Sequence, residues 1–152
     1  MLLDQDVISQ LVTVVIDSLS SPVTKKRFST MNFFKQQKTT SGTEGWFKWE
    51  VVHALYQAKY PIKLKDVIKY DCDLIINDIK IELKSTRGNS IGRLTKAIYV
   101  QHSRANLYMM LCGDLNTTYK KLQEELPENE YVIRPFSIKY NNWGIITVNR
   151  KH

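Results

Sequence analysis

The chain has 152 residues, with 22 Lys and Arg against 15 Asp and Glu and a formal charge of +7. At 43% hydrophobic and 24% charged it has the balance of a globular protein, which excludes wholesale disorder, and its length suits a single domain, 1–152, with a continuous core. The basic excess points to a polyanionic partner, nucleic acid ahead of an acidic membrane surface.

Two cysteines, Cys72 and Cys112, are too few for a disulfide framework, and neither belongs to a Cys/His cluster with zinc spacing. Cys72 lies in a strand-like run and Cys112 ends the apolar run 108–112; both read as buried free thiols, which suits a reducing compartment. Asp4 and Asp6 stand where a signal peptide carries Lys or Arg, and the apolar run 11–16 is far shorter than the ~20 residues a membrane span needs. The expectation is an intracellular, cytoplasmic protein without a membrane segment. Repeats, Gly-rich phosphate loops and low-complexity tracts are all missing from the sequence.

Residues 4–19 place Val7, Leu11, Val14 or Val15, and Leu19 at helical spacing, which predicts an N-terminal helix closed by Ser20, Ser21 and Pro22. Residues 20–42 read as a basic connector carrying Lys25, Lys26, Arg27, Lys35 and Lys38, with Phe28, Phe33 and Phe34 interleaved. Two readings are open there: a solvated loop docked by its rings, or an arm that meets phosphates and bases. Thr43 then caps a second helix running to about residue 59, with Phe47, Val51, Ala54, Leu55 and Ala58 as its apolar stripe and Pro61 beyond it. Glu50 lies within the angular range of that stripe, so its carboxylate needs a partner, a metal or water. Glu44 falls near the same face.

The run 71–84 predicts a hairpin about an Asn77-Asp78 turn. Residue 76 then faces 79, 75 faces 80, 74 faces 81, and 73 faces 82. Cys72, Leu74, Ile76, Ile79, Ile81 and Leu83 point to a core, while Asp71, Asp73, Lys80, Glu82 and Lys84 share the other face with Ile75. Ile91, Leu94, Ile98, Gln101 and Ala105 have helical spacing, 108–112 is a short buried strand, and 117–126 is a polar helix. Two closing strands, 131–140 and 144–149, flank a turn at Asn141 and Asn142. His53, His102, Trp46 and Trp49 read as ordinary helical and packing residues, with base stacking by the indoles the minor alternative.

Asp73 and Glu82 carry the chemistry. Carboxylates facing each other across an antiparallel pair lie roughly 5 Å apart and repel, so the pair is either wet or bridged by a cation. A hairpin with one solvated, charge-alternating face is the first possibility. The second is Mg²⁺, a hard ion that accepts two carboxylates and keeps waters for a phosphate. Lys84 shares the face and places an ammonium where charge builds on phosphorus. Glu50 is a further carboxylate, and the acid-free stretch 84–106 adds Arg87, Arg93, Lys96 and Arg104.

A helix with a glutamate, a hairpin with Asp73, eight intervening residues and then Glu82-x-Lys84 resemble the PD-(D/E)xK nuclease superfamily, which includes restriction endonuclease-like enzymes and Holliday junction resolvases. The resemblance covers residues 43–113; the proline that the family places before its aspartate is Cys72 here. It implies an α/β fold with a restriction-endonuclease-like core: a mixed central β-sheet flanked by helices in αβββαβ order. To that core this chain adds an N-terminal helix (1–19), the connector, and a C-terminal helix and strands (114–152). It implies Asp73 and Glu82 as metal ligands, Lys84 as catalytic lysine and Glu50 as the helix glutamate, with Glu44 in reserve and Gln101 as a polar residue on the following helix. The function so implied is Mg²⁺-dependent hydrolysis of phosphodiester bonds (Mn²⁺ substituting), by an endonuclease in preference to an exonuclease, on DNA in preference to RNA. The basic residues 25–38 and 87–104 would then track the backbone, and a homodimer would serve cleavage of both strands. The alternative from another class is a non-catalytic nucleic-acid-binding module on the same scaffold.

Overall fold

The computed structural model describes residues 3–36, 43–64, 72–86, 91–100, 105–139 and 142–151, with the side chains of 31–36 and 100 left out of the description. The chain is an α/β protein: one mixed six-stranded sheet with, among the described residues, five helices. Asp4 caps α1 (Gln5–Leu19) by accepting from the Asp6 N–H at 2.8 Å. Its buried stripe is Ile8, Leu11, Val12, Val15 and Leu19; Val7, placed in the stripe by spacing, is exposed because the face is phased one residue later.

The expected connector is instead largely helical: α2 spans Pro22–Gln36. Ser21 accepts from the Thr24 N–H at 3.3 Å and Pro22 takes the first helical position, where its missing N–H is harmless. Buried Phe28 stacks between Trp46 (5.3 Å between centroids) and Trp143 (4.7 Å), pinning α2 to the core.

α3 (Thr43–Gln57) buries Phe47, Glu50, Val51, Ala54 and Leu55. It stops before Ala58, which is exposed, because Lys59 turns left-handed (φ 70) and the N–H groups of Lys59 and Tyr60 close on the carbonyls of Tyr56 and Leu55. Strand β1 (Ile62–Leu64) pairs antiparallel with β2 (Leu74–Ile76), and β2 with β3 (Ile79–Thr86). The turn residues Asn77 and Asp78 both have positive φ, the twist that suits a two-residue hairpin, and the expected register is observed: Ile76 with Ile79, Ile75 with Lys80, Leu74 with Ile81. α4 (Ile91–Val100) carries the chain from β3 to a parallel β4 (Leu107–Cys112). Asn106 locks that start, its N–H donating to the Lys80 carbonyl at 2.8 Å and its side-chain oxygen accepting from the Lys80 N–H at 2.9 Å. α5 (Leu115–Glu125), β5 (Tyr131–Ser137) and β6 (Gly144–Arg150) complete the chain, with β6 inserted between β4 and β5.

The sheet order is β1-β2-β3-β4-β6-β5, and helices cover both faces. α1, Phe28 of α2, and α3 pack on Leu74, Ile76, Ile81, Leu83, Leu107 and Met109. α4 and α5 pack on Tyr108, Met110, Cys112, Ile146 and Val148. Strand β4 is therefore buried on both sides, all six residues, as its unbroken apolar run requires. Cys72 and Cys112 are buried and unbridged, and burial pushes the Cys112 thiol up to about 12. Among the described residues no single helix is long and apolar enough to cross a membrane.

Candidate active site

Strand lengths create the site. β2 has three residues and β3 eight, so beyond Leu74 the inner edge of β3 has no strand partner among the described residues. Asp73 follows the ladder for one more bond, its N–H donating to the Ile81 carbonyl at 3.0 Å. The next N–H on that edge, Leu83, donates to Asp73 Oδ2 at 2.8 Å, and the one after, Ser85, donates to Glu44 Oε1 of α3 at 3.3 Å. Two carboxylates thus take the place of missing strand carbonyls, satisfying donors that burial would otherwise penalise.

Glu82 comes just before those two edge residues, on the opposite pleat of β3, and it is only 9% exposed. Burial first, then the field of Asp73 and a hydrogen bond shared with it, push its carboxyl from 4.5 to about 7, against the pull of Lys84 and Lys48. Lys84 Nζ is 3.8 Å from Glu82 Oε1. Lys48 Nζ, from α3, is 3.0 Å from Asp73 Oδ1 and 3.8 Å from Glu44 Oε2. Burial works to lower the Lys48 pKa, but the Asp73 bond and the fields of Asp73, Glu44 and Glu82 outweigh it and hold the ammonium above its ordinary value. The cluster is three carboxylates and two ammonium groups gathered from α3, the β2 edge and β3.

Two clefts flank it. An open one of about 450 Å³ is walled by Lys48, Trp49, Val52, Leu64 and Asp73; a second of about 290 Å³ is walled by Glu44, Lys84, Ser85 and Arg93 of α4. Arg93 and Lys96 are exposed on α4, and Lys25, Lys26 and Arg27 on α2. His53 is solvent-facing. Lys38, Asp71, Arg87, Gln101, His102 and Arg104 lie outside the described residues, as do the side chains of Phe33, Phe34 and Lys35.

Of the expected site residues, Asp73, Glu82 and Lys84 come together. Glu50 is held elsewhere: Oε1 accepts from Arg27 of α2 at 2.9 and 3.2 Å, and the carboxylate is buried in that pair. Its place on the helix explains this. At ~100° per residue Glu44 and Lys48 are about 40° apart, whereas Glu50 lies about 120° from Glu44, so the two glutamates do not share a face as the sequence reading had it. The helix carboxylate at the site is Glu44. Lys48 was missed; its signal was the Glu44–Lys48 spacing of four. Trp46 packs against Phe28, as expected of a bracing indole, whereas Trp49 is 76% exposed.

Asp73 and Glu82 form a compact pair of hard oxygen donors, the usual protein share of a Mg²⁺ site. Burial and, after it, the field of Asp73 raise the Glu82 pKa, and a divalent cation would relieve the second of these. Among the described residues no three His, Cys, Asp or Glu side chains converge as a complete cage, so an ion here would draw its remaining ligands from water and substrate. No protein-family model matches the chain, and neither a curated protein nor a solved structure is significantly similar to it.

Proposed function

We propose that this chain is a Mg²⁺-dependent nuclease that hydrolyses phosphodiester bonds, DNA in preference to RNA, with a restriction-endonuclease-like core. The observation that carries the reading is the convergence of Asp73 and Glu82, close enough for the field of one to act on the other, with Lys84 Nζ 3.8 Å from Glu82 Oε1. The order α3-β1-β2-β3-α4-β4 supports the proposed core.

Asp73 and Glu82 would hold the ion, which when bound supplies the charge that offsets the carboxylates and polarises a phosphate oxygen. Lys84 orients the attacking water and stabilises the charge that builds on the phosphorus as water adds in line and the ester oxygen leaves. Glu44 fixes the path of β3 at Ser85 and keeps Lys48 beside Asp73. Arg93, on the rim of the second cleft, and Lys96, exposed on the same helix, would meet backbone phosphates. A homodimer would provide the second centre needed to cut both strands of a duplex.

A specific observation favours a second reading. Lys48 and Lys84 already offset Asp73 and Glu82, so the cluster also suits a non-catalytic nucleic-acid-binding module that needs no metal. Labelled linear, nicked, flap and four-way DNA substrates incubated with Mg²⁺, Mn²⁺ or chelator separate the two. The nuclease reading expects divalent-dependent cleavage that is lost in Asp73→Asn and in Lys84→Met while both variants stay folded by circular dichroism. Full activity in either variant refutes the assignment, and cleavage by none of the proteins together with no metal-induced stabilisation favours the module.

A further inference from the structure

A chain that buries large apolar side chains so thoroughly leaves few of them wet. Six are exposed among the described residues, and three belong to one surface: Trp49 at 76%, Tyr56 at 69% and Leu64 at 37%. Trp49, Val52 and Tyr56 fall three and four residues apart on α3, on one stripe of the helix. Trp49, Val52 and Leu64 wall the open cleft of about 450 Å³ whose other wall is Asp73 with the Lys48 ammonium. An indole face, an aliphatic floor and the Lys48 ammonium, paired with Asp73, are thus in one concavity.

We infer that this cleft is a stacking subsite for an unpaired base, and that the substrate carries a single-stranded or splayed segment beside the bond to be cut. The inference deepens the nuclease reading and rests on it for the position of the cut. The occupant follows from the chemistry of the walls. A cation next to a ring is the pairing that single-stranded nucleic acid meets on its binding proteins, with phosphate on the charge and base on the aromatic face. A paired duplex hides its base faces within the stack and offers only edges and backbone, so it gains nothing from Trp49. A flap, a single strand or a junction arm with an extruded base has a free face to give. Tyr56, one turn past Val52, extends the platform in the direction of the next base.

The test is equilibrium binding by fluorescence anisotropy in chelator, so that no cleavage is required, with a labelled oligothymidylate and a blunt duplex of matched length. The wild-type chain should prefer the single strand. That preference should fall about 5- to 150-fold in Trp49→Ala, the range expected for one base stacked on a ring, and be largely regained in Trp49→Phe. An unchanged preference in Trp49→Ala overturns the inference, as does an equal loss of affinity for both probes. Sedimentation of the same proteins covers the other occupant: a wild-type dimer that Trp49→Ala converts to monomer makes the stripe a self-association face and also overturns it. If the preference shifts as expected but no divalent ion supports cleavage by the wild type, the stacking site stands and the nuclease reading fails.

Discussion

The buried carboxylate of Glu82 makes a prediction whose sign is unusual for an acidic residue. Replacing Glu82 with Gln should stabilise the protein, little at pH 5 and fully from about neutral pH upward. In the folded chain the Glu82 pKa is pushed up to about 7 from 4.5, by burial and then by Asp73. A raised acid binds more protons folded than unfolded between those two values, so stability falls as pH climbs from about 4.5 to about 7 and stays low above. The shift corresponds to about 3 kcal/mol at pH 8 and shrinks below about 1 kcal/mol at pH 5. Gln removes the charge, keeps the shape and retains an N–H donor for Asp73, where the protonated carboxyl donates in the wild type.

Urea unfolding of both proteins at pH 5 and pH 8 reads the difference. With a slope of about 2 kcal/mol per molar, the Gln variant should unfold some 1–2 M later than wild type at pH 8 and by less than about 0.5 M at pH 5. Comparing the two proteins at each pH cancels the titrating groups that do not interact with Glu82. Saturating Mg²⁺ should then erase much of the pH 8 advantage by stabilising the wild type alone, about 2.7 kcal/mol at a hundredfold excess over Kd. Equal displacement at both pH values, or destabilisation at pH 8, refutes the account of Glu82.

Lys48 and a divalent ion would compete for Asp73, so Lys48→Met should tighten Mg²⁺ binding about fivefold, the worth of one half-exposed ion pair, while lowering cleavage; calorimetric titration beside a nuclease assay checks both, and weaker Mg²⁺ binding would contradict the competition. Arg27→Ala leaves the Glu50 carboxylate buried without its partner and should destabilise by about 1–2 kcal/mol, discounted because Arg27 is half exposed, with the loss largely recovered in the Arg27→Met, Glu50→Gln double variant by urea unfolding. Since Glu50 is turned away from the cluster and Glu44 toward it, Glu44→Gln should reduce divalent-dependent cleavage more than Glu50→Gln does in parallel assays.

The hairpin was legible because two independent local signals agreed. Asn77-Asp78 specifies the turn, and alternation on either side fixes the register, so Asp73 and Glu82 follow by counting. Helix α2 was not legible. It carries three Lys, one Arg and two Thr, only Phe28 and Thr24 among its described side chains are buried, and Ser21-Pro22 ended one helix while also opening the next. The pairing of Glu50 with Arg27 was hidden for the same reason. A carboxylate on an apolar stripe demands a partner, and with α2 read as a loop, Arg27 had no defined place from which to supply it. Lys48 was hidden differently: its partner Asp73 is distant in sequence, and only the tertiary meeting of α3 with the end of β2 turns a helix-surface lysine into part of the cluster. Ile75 on the presumed wet face is buried too, because the strand pattern does not reveal that helices cover both sides of the sheet.

Those same contacts explain why the carboxylates of this cluster have two tasks. Asp73 and Glu44 each spend one oxygen on an orphaned N–H of β3, at Leu83 and Ser85, and turn the other toward Lys48. The first oxygen fixes position; the second is what a cation would compete for. A carboxylate anchored this way has lost most of its rotamer freedom before any ligand arrives, so the entropy of ordering the site is met at folding rather than at binding. It follows that truncating Asp73 to Ala confounds the two tasks, since it strips the Leu83 N–H of its acceptor as well as removing the charge. Asp73→Asn keeps an oxygen for that bond while removing the negative charge, and it relieves the repulsion on Glu82. Loss of cleavage in the Asn variant with undiminished stability therefore isolates the chemistry of the charge, and loss of both would mean that the edge of β3 depends on that charge to stay closed.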